Sequence, residues 1–324
     1  MKVNKFIPFG CSRRQFVGAL AGSLWASRRA RAWGAELKSL RSVPLCIFSK
    51  HLQWLDYKEM AQAAAELGFD GVDLTVRPRG HVLPERVQED LPKAVEAVKS
   101  VGLQVPIMTT AITDSEDPTT EAILKTASGL GIRYYRMGYY RYDENMGIEE
   151  TLKSVKVQMR GVARLNEKYE ITGDYQNHAG STHLGAPLWD IWEVSRDLDP
   201  RWIGCQFDIR HATVEGASSW PVDFKLLSSR MHTLAMKDFK WEKTDQGWRV
   251  KNCPLGEGAV DFKMFFEMLT EIDFSGPVSV HYEYPLGGAN SGARELSIDK
   301  GEVFRFMRHD LTLLRQWLQE AQLV

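Results

Sequence analysis

Glu66-Leu67-Gly68-Phe69-Asp70-Gly71-Val72-Asp73-Leu74-Thr75 is the stretch whose reading decides the fold. Before it, residues 57–67 carry apolar side chains at helical spacing; Gly68 is the residue type that ends a helix in a left-handed conformation; residues 71–75 make a short apolar run of strand length. The same order of helical run, glycine and strand recurs at Gly102 and Gly131. Working outward, strands are predicted over 43–48, 71–75, 105–109, 134–138, 172–176, 203–208, 232–237 and 277–282. Amphipathic helices are predicted over 57–67, 92–101, 121–130, 148–169, 188–198, 222–228, 262–272 and 303–318. Eight strands each followed by a helix is the count of an α/β protein of the (β/α)8 barrel type, with a single domain over 36–324. A doubly wound open sheet would want a glycine-rich phosphate turn after its first strand, and Phe48-Ser49-Lys50-His51 is not one. The one inserted feature is a β-hairpin over 239–252, after strand 7, turning at Thr244-Asp245-Gln246-Gly247.

With 44% apolar and 26% charged residues and only 4 Cys in 324, the composition excludes a disordered chain and a disulfide scaffold. Seven of the 41 basic residues and none of the 42 acidic ones lie in the first 35 positions, which leaves the remainder near −8. A body of that sign repels phosphate backbones, so nucleic acid is a poor partner. The basic segment reads as an address. Ser12-Arg13-Arg14-Gln15-Phe16-Val17 has the twin-arginine pattern, an apolar stretch over 16–26 follows, and Ala30-Arg31-Ala32 offers a small-x-small cleavage site. Residues 1–35 are therefore expected to be a twin-arginine signal peptide, and the mature protein to be periplasmic or secreted. An apolar run that short cannot cross a bilayer of ~30 Å, so no membrane is expected as a partner of the mature form. Cys46, Cys205 and Cys253 show no Cys-x-x-Cys spacing and suggest neither a zinc cluster nor a thiol nucleophile.

In such a barrel the chemistry belongs at the C-terminal ends of the strands. Strand 5 runs out into Gln176-Asn177-His178, strand 6 into Asp208-Ile209-Arg210-His211, strand 7 into Met236-Lys237-Asp238, and strand 8 into His281-Tyr282-Glu283. Alternation places Gln176 with His178, Gln206 with Asp208, Ala235 with Lys237 and His281 with Glu283. Charged groups converging on a barrel mouth are costly unless paired or liganded, which favours a site. The sugar phosphate isomerase/epimerase family that these strand ends resemble implies proton transfer beside a carbonyl, which needs a base near the acidic carbon and a positive group at the developing oxyanion. Lys237 at an exposed strand end suits the second role, Glu283 the first, and His178 or His211 a further acid or base. Structural pairings of Lys237 with Asp208 or Asp238, and of Glu283 with Arg141 or Lys50, are the plain alternatives. Asp73, Arg77 and Arg136 are candidate hydroxyl clamps, whereas His183, His232 and His309 belong to no constellation. Tyr134, Tyr135, Tyr139, Tyr140 and Tyr142, with Trp220, Trp241 and Trp248 in loops or the hairpin, suit a carbohydrate pocket.

These strand ends, together with Pro254-Leu255-Gly256-Glu257-Gly258 and the run 278–283, resemble the sugar phosphate isomerase/epimerase family of xylose isomerase-like TIM barrels over about residues 42–320. The resemblance implies a divalent metal held by Glu, Asp, His and Glu from strands 5 to 8. Asp208 matches the Asp, and His211 the substrate-contacting His. Gln176, Ala235 and His281 stand at the other three ligand positions, so Gln176 passes to the substrate-binding candidates and Asp208 and His281 remain as metal candidates. One carboxylate in place of three weakens a site for Mn²⁺ or Mg²⁺. A Zn²⁺ site from Asp208, His281 and one of His178 or His211 is the other option.

Three functions follow: an isomerase or epimerase of a ketose or keto-sugar, a lyase or hydrolase of a 3-keto-glycoside, and a carbohydrate-binding barrel that has lost catalysis. Each implies a small carbohydrate as partner, and the oligomeric state stays open. The leader reading has its own test: replacing Arg13 and Arg14 by Lys should hold the precursor in the cytoplasm, detected by fractionation, whereas unaltered export would contradict it.

Overall fold

Helix Tyr57–Leu67 stops because Gly68 takes a φ of 94° and donates its N–H back to the carbonyls of Ala64 and Ala65. Asp56 starts the same helix by accepting from the N–H of Glu59, whose side chain returns the favour at the Asp56 N–H. The computed structural model in which these contacts occur describes residues 43–323, so the leader over 1–35 lies outside the described residues.

The strands are β1 Leu45–Phe48, β2 Gly71–Val76, β3 Gln104–Thr110, β4 Tyr134–Arg136, β5 Thr172–Gln176, β6 Ile203–Asp208, β7 Met231–Met236, β8 Asp238–Thr244, β9 Gly247–Cys253 and β10 Val278–Val280. β1 to β7 follow one another around a closed parallel barrel, and β10 fills the gap between β7 and β1. All eight barrel strands therefore lie where the sequence puts them. β8 and β9 form the inserted antiparallel hairpin, in register from Asp238 opposite Cys253 to Thr244 opposite Gly247. Strand parity sorts the side chains. Val72, Leu74, Phe207, Leu234 and Val280 are buried in the apolar layer between barrel and helices, where Phe207 meets Phe224 and Phe265. The opposite parity fills the barrel with polar groups: Thr109 and Ser279 donate to Asp73, and Thr233 donates to Asp174, which also bonds His232.

Two helices differ from expectation. Helix Val87–Ser100 begins five residues before Pro92, because ion pairs of Arg86 and Lys93 with Glu89 and Asp90 support its first turns. Helix Ile209–Gly216 was not expected; it follows β6 with no loop, because Asp208 ends the strand and caps the helix, accepting from the N–H of His211. Trp220 is not a loop residue either. It opens helix Trp220–Leu227, is 4% exposed and packs on Phe265. No helix among the described residues is long and apolar enough to cross a membrane.

His51 ties the first loop to the last. Its Nδ1 lies 3.0 Å from the carbonyl of Ala289, and its Nε2 accepts from the N–H of Tyr282 at 3.0 Å, so only a neutral ring with its proton on Nδ1 satisfies both. Burial and the nearby Lys50 push its pKa down to about 3. Below pH 6.5 the unfolded chain takes up a proton that the folded chain refuses, so stability present above that pH is lost as pH falls towards 3. The loss approaches about 1.4 kcal/mol per pH unit for this one group. In urea titrations between pH 7 and 5, His51→Gln should flatten the dependence of unfolding free energy on pH by about one proton. An unchanged slope would contradict the assignment.

Candidate active site

Capping by Oδ1 of Asp208 leaves Oδ2 facing the barrel mouth, where it accepts from Lys237 Nζ at 2.8 Å and from Gln176 Nε2 at 2.8 Å. Lys237, just past the end of β7, also lies 2.7 Å from His211 Nε2 and 3.4 Å from Glu283 Oε2. The other Glu283 oxygen meets Lys50 Nζ at 3.1 Å. Carboxylates and ammonium groups thus alternate across the mouth. Asn177 fixes this end of the barrel by exchanging two backbone bonds with Asp208, accepting from its N–H and donating to its carbonyl.

Lys237 is 3% exposed and Asp208 0%, so the ammonium is not at an exposed strand end as the sequence suggested. Burial alone would lower the Lys237 pKa, but Asp208 and Glu283 outweigh it and raise it, keeping the side chain charged. For Glu283, burial is likewise outweighed by Lys237 and Lys50, which hold its carboxyl well below the usual range. The imidazoles go the other way. Burial, then Lys237, pushes His178 down to about 3 and holds His211 and His281 well below their ordinary value, so all three are neutral.

The remaining candidates divide. Gln176 is not free for substrate: its Oε1 accepts from Arg136 Nη1 at 2.9 Å and from the Tyr139 hydroxyl, while its Nε2 is spent on Asp208. Arg136 is 5% exposed and is engaged by Gln176 and Tyr139. Arg77 lies over the Phe48 ring, 5.4 Å from its centre, at the edge of the mouth. Asp73 corrects the hydroxyl-clamp reading, because it is 0% exposed and its carboxylate is filled by Thr109 and Ser279 beneath the site. Burial pushes its carboxyl up, an effect those two hydroxyls oppose. His178 packs between His211 and His183, with ring centres 4.1 and 4.4 Å apart and the planes tilted, so His183 joins a cluster the sequence did not assign it. Glu283 pairs with Lys50 and not with Arg141, whose guanidinium donates to the Thr182 hydroxyl.

Several contributors went unread in the sequence. Arg210 brings Nη1 to His211 Nδ1 at 2.8 Å and holds Asn252 on the hairpin, and Asn252 donates to the Glu283 carbonyl. An Asp-x-x-His run starting at a strand end is itself an N-cap signal, and it could have placed both the helix and Arg210. The Leu-Gly-Glu-Gly run serves structure: the N–H groups of Gly256 and Gly258 donate to Asp238, and a Cβ on Gly258 would lie 2.1 Å from that carboxylate. Of the aromatic candidates, Tyr139 reaches the site, Tyr135 and Tyr140 are buried in the core, and Trp241 and Trp248 stand exposed on the hairpin.

A divalent cation needs lone pairs converging on one point. Here N–H donors converge on Asp208 Oδ2, from Lys237 and from Gln176, while Ala235 supplies no donor atom and His281 Nε2 is engaged with Ser279. No group of three or more His, Cys, Asp or Glu side chains among the described residues is arranged to hold a metal. The residues present do not fit Mn²⁺, Mg²⁺ or the Zn²⁺ alternative. The Lys237 ammonium lies 2.8 Å from Asp208 Oδ2, on the one carboxylate left at the four ligand positions.

Residues 61–300 match the family model described as xylose isomerase-like TIM barrel. The chain is 26% identical over 264 residues to L-ribulose-5-phosphate 3-epimerase UlaE of Escherichia coli, an alignment covering 73% of this chain and 86% of that protein. Among solved structures it is similar to a D-tagatose 3-epimerase-like protein, with a TM-score of 0.64, 16% identity and coverage of 86% of this chain and 98% of that one. It is also similar to the 3-keto-D-glucoside 4-epimerase YcjR of E. coli, with a TM-score of 0.60, 15% identity and coverage of 85% and 100%.

Removing one partner of a buried ion pair leaves the other uncompensated, at a cost of about 3–5 kcal/mol. Lys237→Met should therefore lower the unfolding free energy in urea by about that much, and adding Asp208→Asn should recover most of the loss. A Lys237→Met protein as stable as the parent would show that the pair is not held as described.

Proposed function

The chain belongs to the family of xylose isomerase-like TIM barrels, and from that premise we propose that it is a carbohydrate isomerase or epimerase that moves a proton beside the carbonyl of a ketose or keto-sugar, with the Lys237 ammonium at the developing oxyanion. The observation that carries this reading is the position of Lys237 among Asp208, His211 and Glu283 at the C-terminal end of the barrel. Loss of the carbon-bound proton puts negative charge on the carbonyl oxygen, and a fixed, buried positive donor lowers that barrier most because it needs no reorientation. Donors of this kind are worth about 10²–10³ in kcat. Asp208 and Glu283 keep the ammonium charged and aimed, while the neutral imidazoles of His178 and His211 offer proton acceptors and donors beside it. UlaE and YcjR are epimerases, which is why this reading is preferred to a lyase, a hydrolase or a binding-only barrel. The twin-arginine pattern supports action outside the cytoplasm on a scavenged sugar.

Incubation in D₂O with D-tagatose, D-fructose, D-allulose, L-ribulose or L-ribulose 5-phosphate, followed by proton NMR, tests the proposal. At least one sugar should be converted with deuterium entering at the carbon beside the carbonyl. No exchange and no conversion with any of them would overturn it.

A further inference from the structure

We infer that Asp73, Ser279 and His281 form a hydrogen-bonded relay that keeps the His281 proton on Nε2 and its bare Nδ1 towards Glu283, making Nδ1 the base that takes the substrate's carbon-bound proton. Ser279 Oγ lies 2.6 Å from Asp73 Oδ2. The Asp73 carboxylate already accepts from Thr109, so the single Ser279 proton goes to it, and the Ser279 oxygen is left to accept from His281 Nε2 at 3.1 Å. A neutral imidazole with its proton on Nε2 has a lone pair on Nδ1. That atom is buried and has no hydrogen-bond partner. Its charged neighbour, Glu283 Oε1, stays 4.0 Å away, as two acceptors should. The reverse relay, with Asp73 protonated and an N–H on Nδ1, would draw that N–H onto the Glu283 carboxylate, and the 4.0 Å separation is too long for such a bond. The ring stacks on Phe48, with centres 4.4 Å apart, and its bond to Ser279 sets which edge faces the mouth.

The role as base rests on the isomerase or epimerase reading; the relay does not. In the step, the carbon–hydrogen bond breaks and its proton joins Nδ1, while its electron pair forms the double bond of an enediolate whose oxygen faces Lys237. The imidazolium keeps Nε2–H on Ser279, and Asp73 offsets the new charge through that hydroxyl. Return of a proton to the carbon completes the step. Glu283 is a weaker candidate because its two oxygens are taken up by Lys50 and Lys237, whereas His281 Nδ1 has no partner. His281 is then the catalytic residue, and Asp73 and Ser279 position it.

The test uses the full chain labelled with ¹⁵N-histidine and long-range proton–nitrogen correlation NMR, with the His281 signal identified by its loss in His281→Gln. The parent should show a single tautomer protonated on Nε2. Ser279→Ala should give mixed tautomers and lower kcat about 10-fold or more with KM nearly unchanged, Ser279→Thr should restore both, and His281→Gln should lower kcat about 100-fold. Asp73→Asn, which keeps the side-chain volume, should move tautomer and kcat in the same direction as Ser279→Ala. A parent protonated on Nδ1, or a Ser279→Ala variant that keeps both the single tautomer and kcat, would overturn the relay. If the relay holds but the parent exchanges no deuterium into any of the sugars above, the role as base falls with the proposed function.

Discussion

The buried contact between Asp208 and Lys237 is what the rest of the site depends on. Asp208 is shared by three structures at once: it ends β6, caps the helix that follows, and faces the barrel axis. A carboxylate in that position is costly unless a positive charge compensates it. Lys237 does so from the neighbouring strand, since Ala235 pairs with Asp208 in the ladder and Lys237 lies two residues further along. With a methyl group at 235 there is room for the lysine chain to lean inward.

Once the ammonium is there, the other departures from the ligand set implied by the family resemblance become coherent. A glutamate at 176 would set a second carboxylate against Asp208 Oδ2; the amide of Gln176 instead donates to it and passes the polarity on to Arg136 and Tyr139. A glutamate at 281 would lie above Asp73 and Ser279 in the barrel interior, where a neutral imidazole fits their hydrogen-bonding pattern. The positive charge beside Asp208 belongs to the chain itself.

How much of this was legible in the sequence follows from which forces are local. The eight strands, the Gly68 stop and the hairpin were readable, because they depend on apolar periodicity and on residue types with narrow conformational preference. The start of helix Val87–Ser100 was not, because a proline favours the first turn of a helix and the ion pairs around Arg86 that extend it leave no apolar periodicity. Within the site, parity placed Asp208, Lys237, His281 and Glu283 in one mouth, and the match to the family motifs added His211. What stayed hidden were partners that depend on three-dimensional register: Asn177 bracing Asp208, Arg210 and Asn252 bridging to the hairpin, and Ser279 joining Asp73 to His281. Depth was also unreadable. Alternation tells which way Lys237 and Asp73 point, not that the first is held between two carboxylates and the second lies below the reach of a substrate.

If Lys237 does the electrostatic work of a metal at this barrel mouth, as proposed, catalysis needs no bound ion. The most direct measurement is ketose turnover by protein dialysed exhaustively against a chelator, with residual metal counted by elemental analysis. Turnover should be undiminished with far less than one metal ion per chain. Activity that disappears on dialysis and returns as Mn²⁺ or Mg²⁺ is restored to one ion per chain would contradict it.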